Sequence, residues 1–180
     1  MGSRGELVDL VDAYDRRIGT ATLEVCLKRG LLHRAVAILV FRPGGRLLLQ
    51  QRSRKDLWHP GRWTISCTGH VKAGESYAAA AKRELAEELG LKVDLSRLAK
   101  VFLPKVRSKG MTEWEVVASF ACRTGLRVRI DAKELERVEP VSRHVLARMM
   151  KGRALTPDAK ILLRACYGLV ENERRPRAAV

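Results

Sequence analysis

The chain has 180 residues, 46% of them apolar, which is enough for one domain with a buried core and excludes a disordered chain. Lys and Arg total 35 against 20 Asp and Glu, a net charge of +15 that suits an anionic small molecule. The basic residues are spread along the whole chain without an RNA-binding signature, so nucleic acid is the less favoured partner and a basic solvated surface the simpler reading.

In chain order, LVDLVD (7–12) and IGTAT (18–22) read as two short strands around the turn AYDRR, followed by a short helix over 23–30 that ends at Gly30. No apolar signal core precedes them, no later run of about 18 apolar residues offers a membrane span, and a cytoplasmic protein is expected. AVAILVF (35–41) and RLLLQQR (46–52) are strands joined by a turn at Pro43-Gly44-Gly45, and RWTISC (62–67) is a strand leading into Gly69. A helix is expected from Ser76 to Leu89, with Ala78, Ala81, Leu85 and Leu89 on its apolar face and Gly90 as its stop. Strands follow near 98–103, 114–122 and 126–130. Ser142 caps a helix to Lys151, and Thr156-Pro157-Asp158 opens a last helix to about Val170. The pattern predicts an α/β fold, an α/β/α sandwich with a mixed β-sheet between helices. Residues 1–172 form one domain, with 1–30 as an N-terminal hairpin and helix extension and 173–180 as a basic flexible tail. Cys26, Cys67, Cys122 and Cys166 lie far apart with no C-x-x-C pair, which reads as reduced core thiols.

The helix over 76–89 stacks Glu84, Glu87 and Glu88 at spacings of three and four residues, where like charges repel by roughly 0.2–0.5 kcal/mol per pair. With Leu85 and Leu89 facing the core, the three carboxylates are expected to face away from it. Such a face is either a solvated acidic surface or a cradle for a hard divalent cation that shares a phosphorylated substrate. Gly69, Glu75, Arg83-Glu84-Leu85, Glu87-Glu88 and Gly90-Leu91 stand in a spacing that resembles the Nudix box at every defined position. The resemblance implies a Nudix-type sandwich. It also implies a hydrolase that cleaves the diphosphate linkage of a nucleoside diphosphate joined to another moiety, by attack of water and with Mg²⁺ or Mn²⁺. Carried over by that resemblance, Gly69 (through its carbonyl), Glu84, Glu87 and Glu88 are the metal ligands. Arg83 pairs with a box carboxylate and holds the loop–helix geometry, Glu75 supports the loop, and Gly74 permits its tight turn.

Outside the box, LLHRAVAILVF, Gln51 to Lys55, Pro60 to Trp63 and Gly69 to Val71 resemble the isopentenyl-diphosphate-isomerase-like Nudix proteins. Isopentenyl-diphosphate delta-isomerase is therefore the alternative activity. The resemblance puts His33 and His70 at positions of that branch's metal histidines, and Glu113 and Glu115 at its paired glutamates. Cys26 stands in place of another metal histidine and Thr68 in place of the catalytic cysteine; Cys67 is one residue early, on the opposite strand face. That branch keeps a degenerate box, whereas all three helix glutamates are present here, which favours the hydrolase. From the residues alone, His33 reads first as a structural histidine and His70 as a phosphate contact or a loop residue. Glu113 and Glu115 share a strand face, and Glu115 or Glu84 is the expected general base. Arg52, His70, Glu113 and Lys105 are expected substrate contacts; Lys105, Arg107 and Lys109 form a basic loop before the Glu pair, and it and the loop over 51–55 are expected to meet a diphosphate, since Arg and Lys bind phosphates well.

Overall fold

The computed structural model describes residues 5–130 and 135–172, with side chains as far as Cys166. Its organising element is strand β3 (His33–Arg42), whose run AVAILVF is buried on both faces, as a central strand requires. Along its whole length β3 pairs in parallel with β10 (Glu115–Arg123), from Glu115 opposite His33 to Arg123 opposite Phe41. Strand β7 (Ser96–Phe102) lies antiparallel on the far side of β10.

On its other side β3 meets two strands in succession. Ala35–Ile38 pair with β6 (Cys67–His70), and Phe41 and Arg42 pair with β4 (Arg46–Arg52) across the Pro43–Gly45 turn. β4 then continues outward to β5 (Trp63–Thr64) and β11 (Leu135–Val141). The expected single strand 62–67 is therefore two, because Ile65 and Ser66 carry the chain from beside β4 to beside β3. At that fork the Ser66 hydroxyl accepts the Val40 N–H at 2.9 Å and donates to the Leu48 carbonyl, tying the two branches together. The hairpin of β1 (Leu7–Val11) and β2 (Arg17–Thr22) joins the sheet through Leu10 opposite His33.

Helices cover both faces of this mixed sheet. Helix α1 (Leu23–Arg29) follows the hairpin, capped by Thr22 and stopped by left-handed Gly30. Helix α2 (Tyr77–Leu89) is capped by Ser76 and stopped by left-handed Gly90. It packs Ala80, Ala81, Leu85 and Leu89 on Val36, Ile38, Cys67 and Ala118. On the opposite face α3 (Arg143–Lys151) and α4 (Pro157–Asn172) set Leu146, Ala159, Leu162 and Leu163 against Ala35, Ala37, Leu39 and Val117. The expected α/β/α sandwich is what forms. The four cysteines are buried and unbridged. Among the described residues no helix is long and apolar enough to cross a membrane.

Three local expectations are corrected. Residues 126–130 form no strand; the Arg129 N–H instead bonds the Leu89 carbonyl and finishes α2. β11 escaped notice because LERVEPV is polar and holds a proline, a composition an edge strand tolerates. The basic loop before the Glu pair is a hairpin, β8 (Val106–Ser108) and β9 (Met111–Glu113), turning at Lys109 and Gly110, both with positive φ. The expected tail at 173–180 lies outside the described residues.

Ser66→Ala removes the fork's cross-tie and leaves a buried N–H and C=O without that partner. It is expected to lower stability by about 1–3 kcal/mol, read as a lower urea midpoint at unchanged slope.

Candidate active site

Helix α2 does not turn its three carboxylates to solvent as expected. Glu84 and Glu88 are only 3% and 5% exposed, wedged between helix and sheet, and only the Glu87 side chain, at 57%, faces water. The reason is Gly69. A Cβ there would stand 2.1 Å from Glu84 Cδ, so the missing side chain is the space that Glu84 fills. Burying Glu84 needs a counter-charge, and Arg83 supplies it. Its guanidinium donates Nε to Glu75 Oε1 (3.0 Å) and Nη2 to Glu75 Oε2 (2.9 Å). Nη1 reaches Glu84 (2.6 Å) and Glu87 (3.2 Å), and Nη2 also reaches the His70 carbonyl (2.9 Å). Burial alone would raise the Glu75 carboxyl, but the Arg83 fork holds it below the usual range. For Glu84 burial wins over Arg83, and its carboxyl is pushed up.

A second group forms on the other face of the sheet. Strand pairing puts His33 opposite Glu115, and His70 opposite Ala35 one position along the same face. The two imidazoles stack with centroids 5.4 Å apart. Their Nε2 atoms lie 3.7 Å (His33) and 3.3 Å (His70) from Glu115 Oε1. His33 Nδ1 contacts the Leu31 carbonyl at 2.9 Å, which orients the ring and directs Nε2 toward Glu115. His33 Nε2 and both His70 nitrogens are buried without a well-formed hydrogen bond. One ligand atom from each of His33, His70 and Glu115 lies within 4.8 Å of the others, a spacing that could hold a metal ion. His33, read as structural, thus belongs to a ligand-like group, whereas Cys26 is buried and is not one of its members. Burial raises Glu113 well above the usual carboxyl range, and Glu115 beside it adds to the shift. Burial also acts on Glu115, but contact with His70 and the charges of His70 and His33 outweigh it and hold that group low.

One cavity of about 670 Å³ opens at the sheet's fork and joins the two groups. Gly69 and Glu88 border it from the α2 side, and His70, Glu113 and Glu115 from the other. Arg52 lines it, paired with Asp56 at 3.0 Å, but Lys105 does not: its ammonium sits over the Trp114 ring at 4.0 Å. Lys109, from the same basic loop and at the tip of the β8–β9 hairpin, lines it instead. Glu84 and Glu87 do not border it. Thr68 faces in, while Cys67 is fully buried against α2, its thiol pushed well up by burial and by Glu88 and Glu84.

The raised Glu84 carboxyl has a sign that can be tested. A group raised in the folded state stabilises it below its unfolded pKa and loses that contribution as pH rises through the folded value. In metal-free protein, Glu84→Gln is therefore expected to gain stability relative to wild type between about pH 4.5 and neutrality, read by urea unfolding at both ends. A constant difference would show that Glu84 does not carry this cost.

The comparisons with known proteins agree with this geometry. A model of the NUDIX domain matches residues 31–164. An isopentenyl-diphosphate Delta-isomerase 2 of Photorhabdus laumondii is 34% identical over 154 residues, covering 86% of this chain and 84% of that protein. A prenyl-diphosphate phosphatase of Methanosarcina mazei is 33% identical over 148 residues, covering 81% and 84%. A crystal structure from Deinococcus radiodurans superposes with a TM-score of 0.75 at 24% identity over 90% of this chain and 99% of that one, a likeness of fold. The sandwich, the glycine-to-helix signature and this kinship lead to one assignment: the chain belongs to the Nudix family, in its isopentenyl-diphosphate-isomerase-like branch.

Proposed function

We propose that the protein hydrolyses the diphosphate group of a small organic diphosphate. The observation that carries this reading is the pairing of a complete carboxylate cluster with a cavity that contains no thiol. Glu84, Glu87, Glu88 and the Gly69 carbonyl would hold Mg²⁺ or Mn²⁺, which when bound neutralises phosphate charge and activates a water. The fit rests on two buried acids and a glycine whose absent side chain makes their room. The His33–His70–Glu115 group would suit a further divalent ion. Arg52, Lys55 and Lys109 line the cavity and would orient an anionic diphosphate. Of the two expected bases, Glu115 is the one that borders the cavity, and its low pKa keeps it ionised beside the raised Glu113. Glu115 would orient the attacking water or accept a proton from it.

The cavity also bears on the organic half. Among the described residues Ala35, Val36, Leu57, Val117 and Leu135 line it, and no Phe, Tyr or Trp does. A nucleobase would find only His70 and Arg52 to stack on, whereas a short aliphatic group would find an apolar wall. We therefore favour an alkyl diphosphate over the nucleoside diphosphate expected from the family at large. The M. mazei relative, named as a prenyl-diphosphate phosphatase, is in keeping with that choice.

Isopentenyl-diphosphate isomerisation is the second reading, favoured by the two histidines with Glu115 and by the isomerase relatives. That chemistry needs an acid thiol at the substrate, and Cys67 is sealed on the opposite face.

A panel of alkyl diphosphates and nucleoside diphosphate derivatives, followed by chromatography of all phosphorylated products and inorganic phosphate with and without Mg²⁺, separates these readings. Glu87→Gln is expected to lower turnover by at least about 10-fold. Cys67→Ala is expected to keep activity within a few-fold, at a stability cost of about 1 kcal/mol. Activity that survives Glu87→Gln but is abolished in Cys67→Ala, with substrate isomerised and no phosphate released, would reverse the assignment.

A further inference from the structure

The family match begins at residue 31, so the β1–β2 hairpin lies outside it. Besides its pairing with β3 through Leu10, the hairpin is bonded to one segment of the site, the loop between Gly69 and α2. The Ala73 N–H donates to the Leu7 carbonyl at 2.8 Å, and Val8 forms a bridge with Lys72. Lys72 Nζ lies 3.3 Å from Glu6. Asp9 is only 2% exposed, and its Oδ2 accepts the N–H of Gly74 at 3.1 Å. Its Oδ1 accepts Arg17 Nε at 2.9 Å, and Arg34 Nη1 stands 3.7 Å from Oδ2.

At the hairpin's turn Asp15 adopts a left-handed φ of 62°, a conformation a non-glycine residue holds only when its surroundings fix it. Its carboxylate accepts Arg34 Nε at 2.7 Å, the Tyr77 hydroxyl at 3.0 Å and the Lys100 ammonium. Its carbonyl accepts Arg34 Nη2 at 2.7 Å. Tyr77 is the first residue of α2.

These bonds clamp the loop at both ends of its turn. Between Gly74 and Tyr77 lies Glu75, whose carboxylate accepts the Lys72 N–H and the Arg83 fork. Arg83 in turn holds Glu84, Glu87 and the His70 carbonyl. A chain of charge-assisted bonds thus runs from the hairpin through the loop to the carboxylate cluster.

We infer that Asp9 and Asp15 are positioning residues for the carboxylate cluster: the hairpin fixes the Lys72–Tyr77 loop and, through Glu75 and Arg83, sets where the helix carboxylates stand relative to Gly69. The inference rests on the reading of those carboxylates as the cation site. Asp9 is a buried carboxylate that accepts a loop N–H, and Asp15 ties the first residue of α2 to β3 and β7 through Tyr77, Arg34 and Lys100. A hairpin that merely added stability would leave cation affinity alone.

The test is Mn²⁺ binding to the full chain without substrate, followed by electron paramagnetic resonance, with Glu87→Gln defining which Mn²⁺ belongs to the cluster. Asp9→Ala is expected to weaken that site about tenfold. Asp9→Asn keeps an oxygen for the Gly74 N–H and should stay within about twofold of wild type. Arg16→Ala breaks the ion pair to Asp12 inside the hairpin's turn, away from Asp9, and should leave affinity unchanged. Amide exchange at Gly74 and Glu75 should quicken in Asp9→Ala and not in Arg16→Ala. Should Asp9→Ala not fold, Tyr77→Phe removes only the hydroxyl bonded to Asp15 and should still weaken Mn²⁺ by a few-fold. The inference is overturned by wild-type affinity in Asp9→Ala, or in Tyr77→Phe where it stands in, while Glu87→Gln loses the ion. If Glu87→Gln binds as wild type does, the cation reading itself falls and takes the positioning role with it.

Discussion

The fork of Arg83 is the interaction on which the site depends. One planar guanidinium donates to both oxygens of Glu75, to Glu84, to Glu87 and to the His70 carbonyl. A lysine, with a compact ammonium on a flexible stem, could not hold this set at once. Without Arg83, Glu84 would be buried beside Glu87 with no cation against it. With it, the helix keeps its carboxylates ordered beside Gly69, and the loop before the helix is tied to the helix itself. The short Glu84 contact and the bidentate Glu75 pair are both charge-assisted, the strongest class of protein hydrogen bond.

The sheet supplies the other half of the site by failing to stay continuous. Because β3 pairs first with β6 and then with β4, a cleft opens where those two strands diverge. Ser66 closes the fork at one end, and the cavity occupies the other. Strand alternation then sorts the chemistry. Cys67 and Gly69 point to α2, where one is packed as a thiol and the other leaves room for Glu84. Thr68 and His70 point to the opposite face, where His70 meets His33 and Glu115. A shift of one residue between cysteine and cavity is therefore a change of face and of chemistry.

Much of this was legible in the sequence. The central strands, α2 with its serine cap and glycine stop, and the glycine-to-glutamate spacing each follow from local rules with little competition. The roles of Glu75 and Arg83 as a pair follow from the same motif. What the sequence did not reveal was set by distant partners. The helix rule that placed Leu85 and Leu89 inward put Glu84 and Glu88 outward, because it could not see that Gly69 makes space for an acid between helix and sheet. Lys105 was a reasonable phosphate ligand until Trp114 took it and the β8–β9 turn brought Lys109 forward instead. His33 read as structural because its partners, His70 and Glu115, come from strands far apart in the chain. Asp9 and Asp15 carried no signal at all, since an aspartate in a hairpin reads as a turn or surface residue.

The central claim is that water attacks phosphorus and that no carbon–hydrogen bond is touched. The most direct test is turnover of an alkyl diphosphate in H₂¹⁸O made up with D₂O, followed by phosphorus NMR and mass spectrometry of product and remaining substrate. The account predicts ¹⁸O in the released phosphate or on the retained phosphorus and no deuterium on carbon. Deuterium at carbon, with the diphosphate intact and free of ¹⁸O, would contradict it.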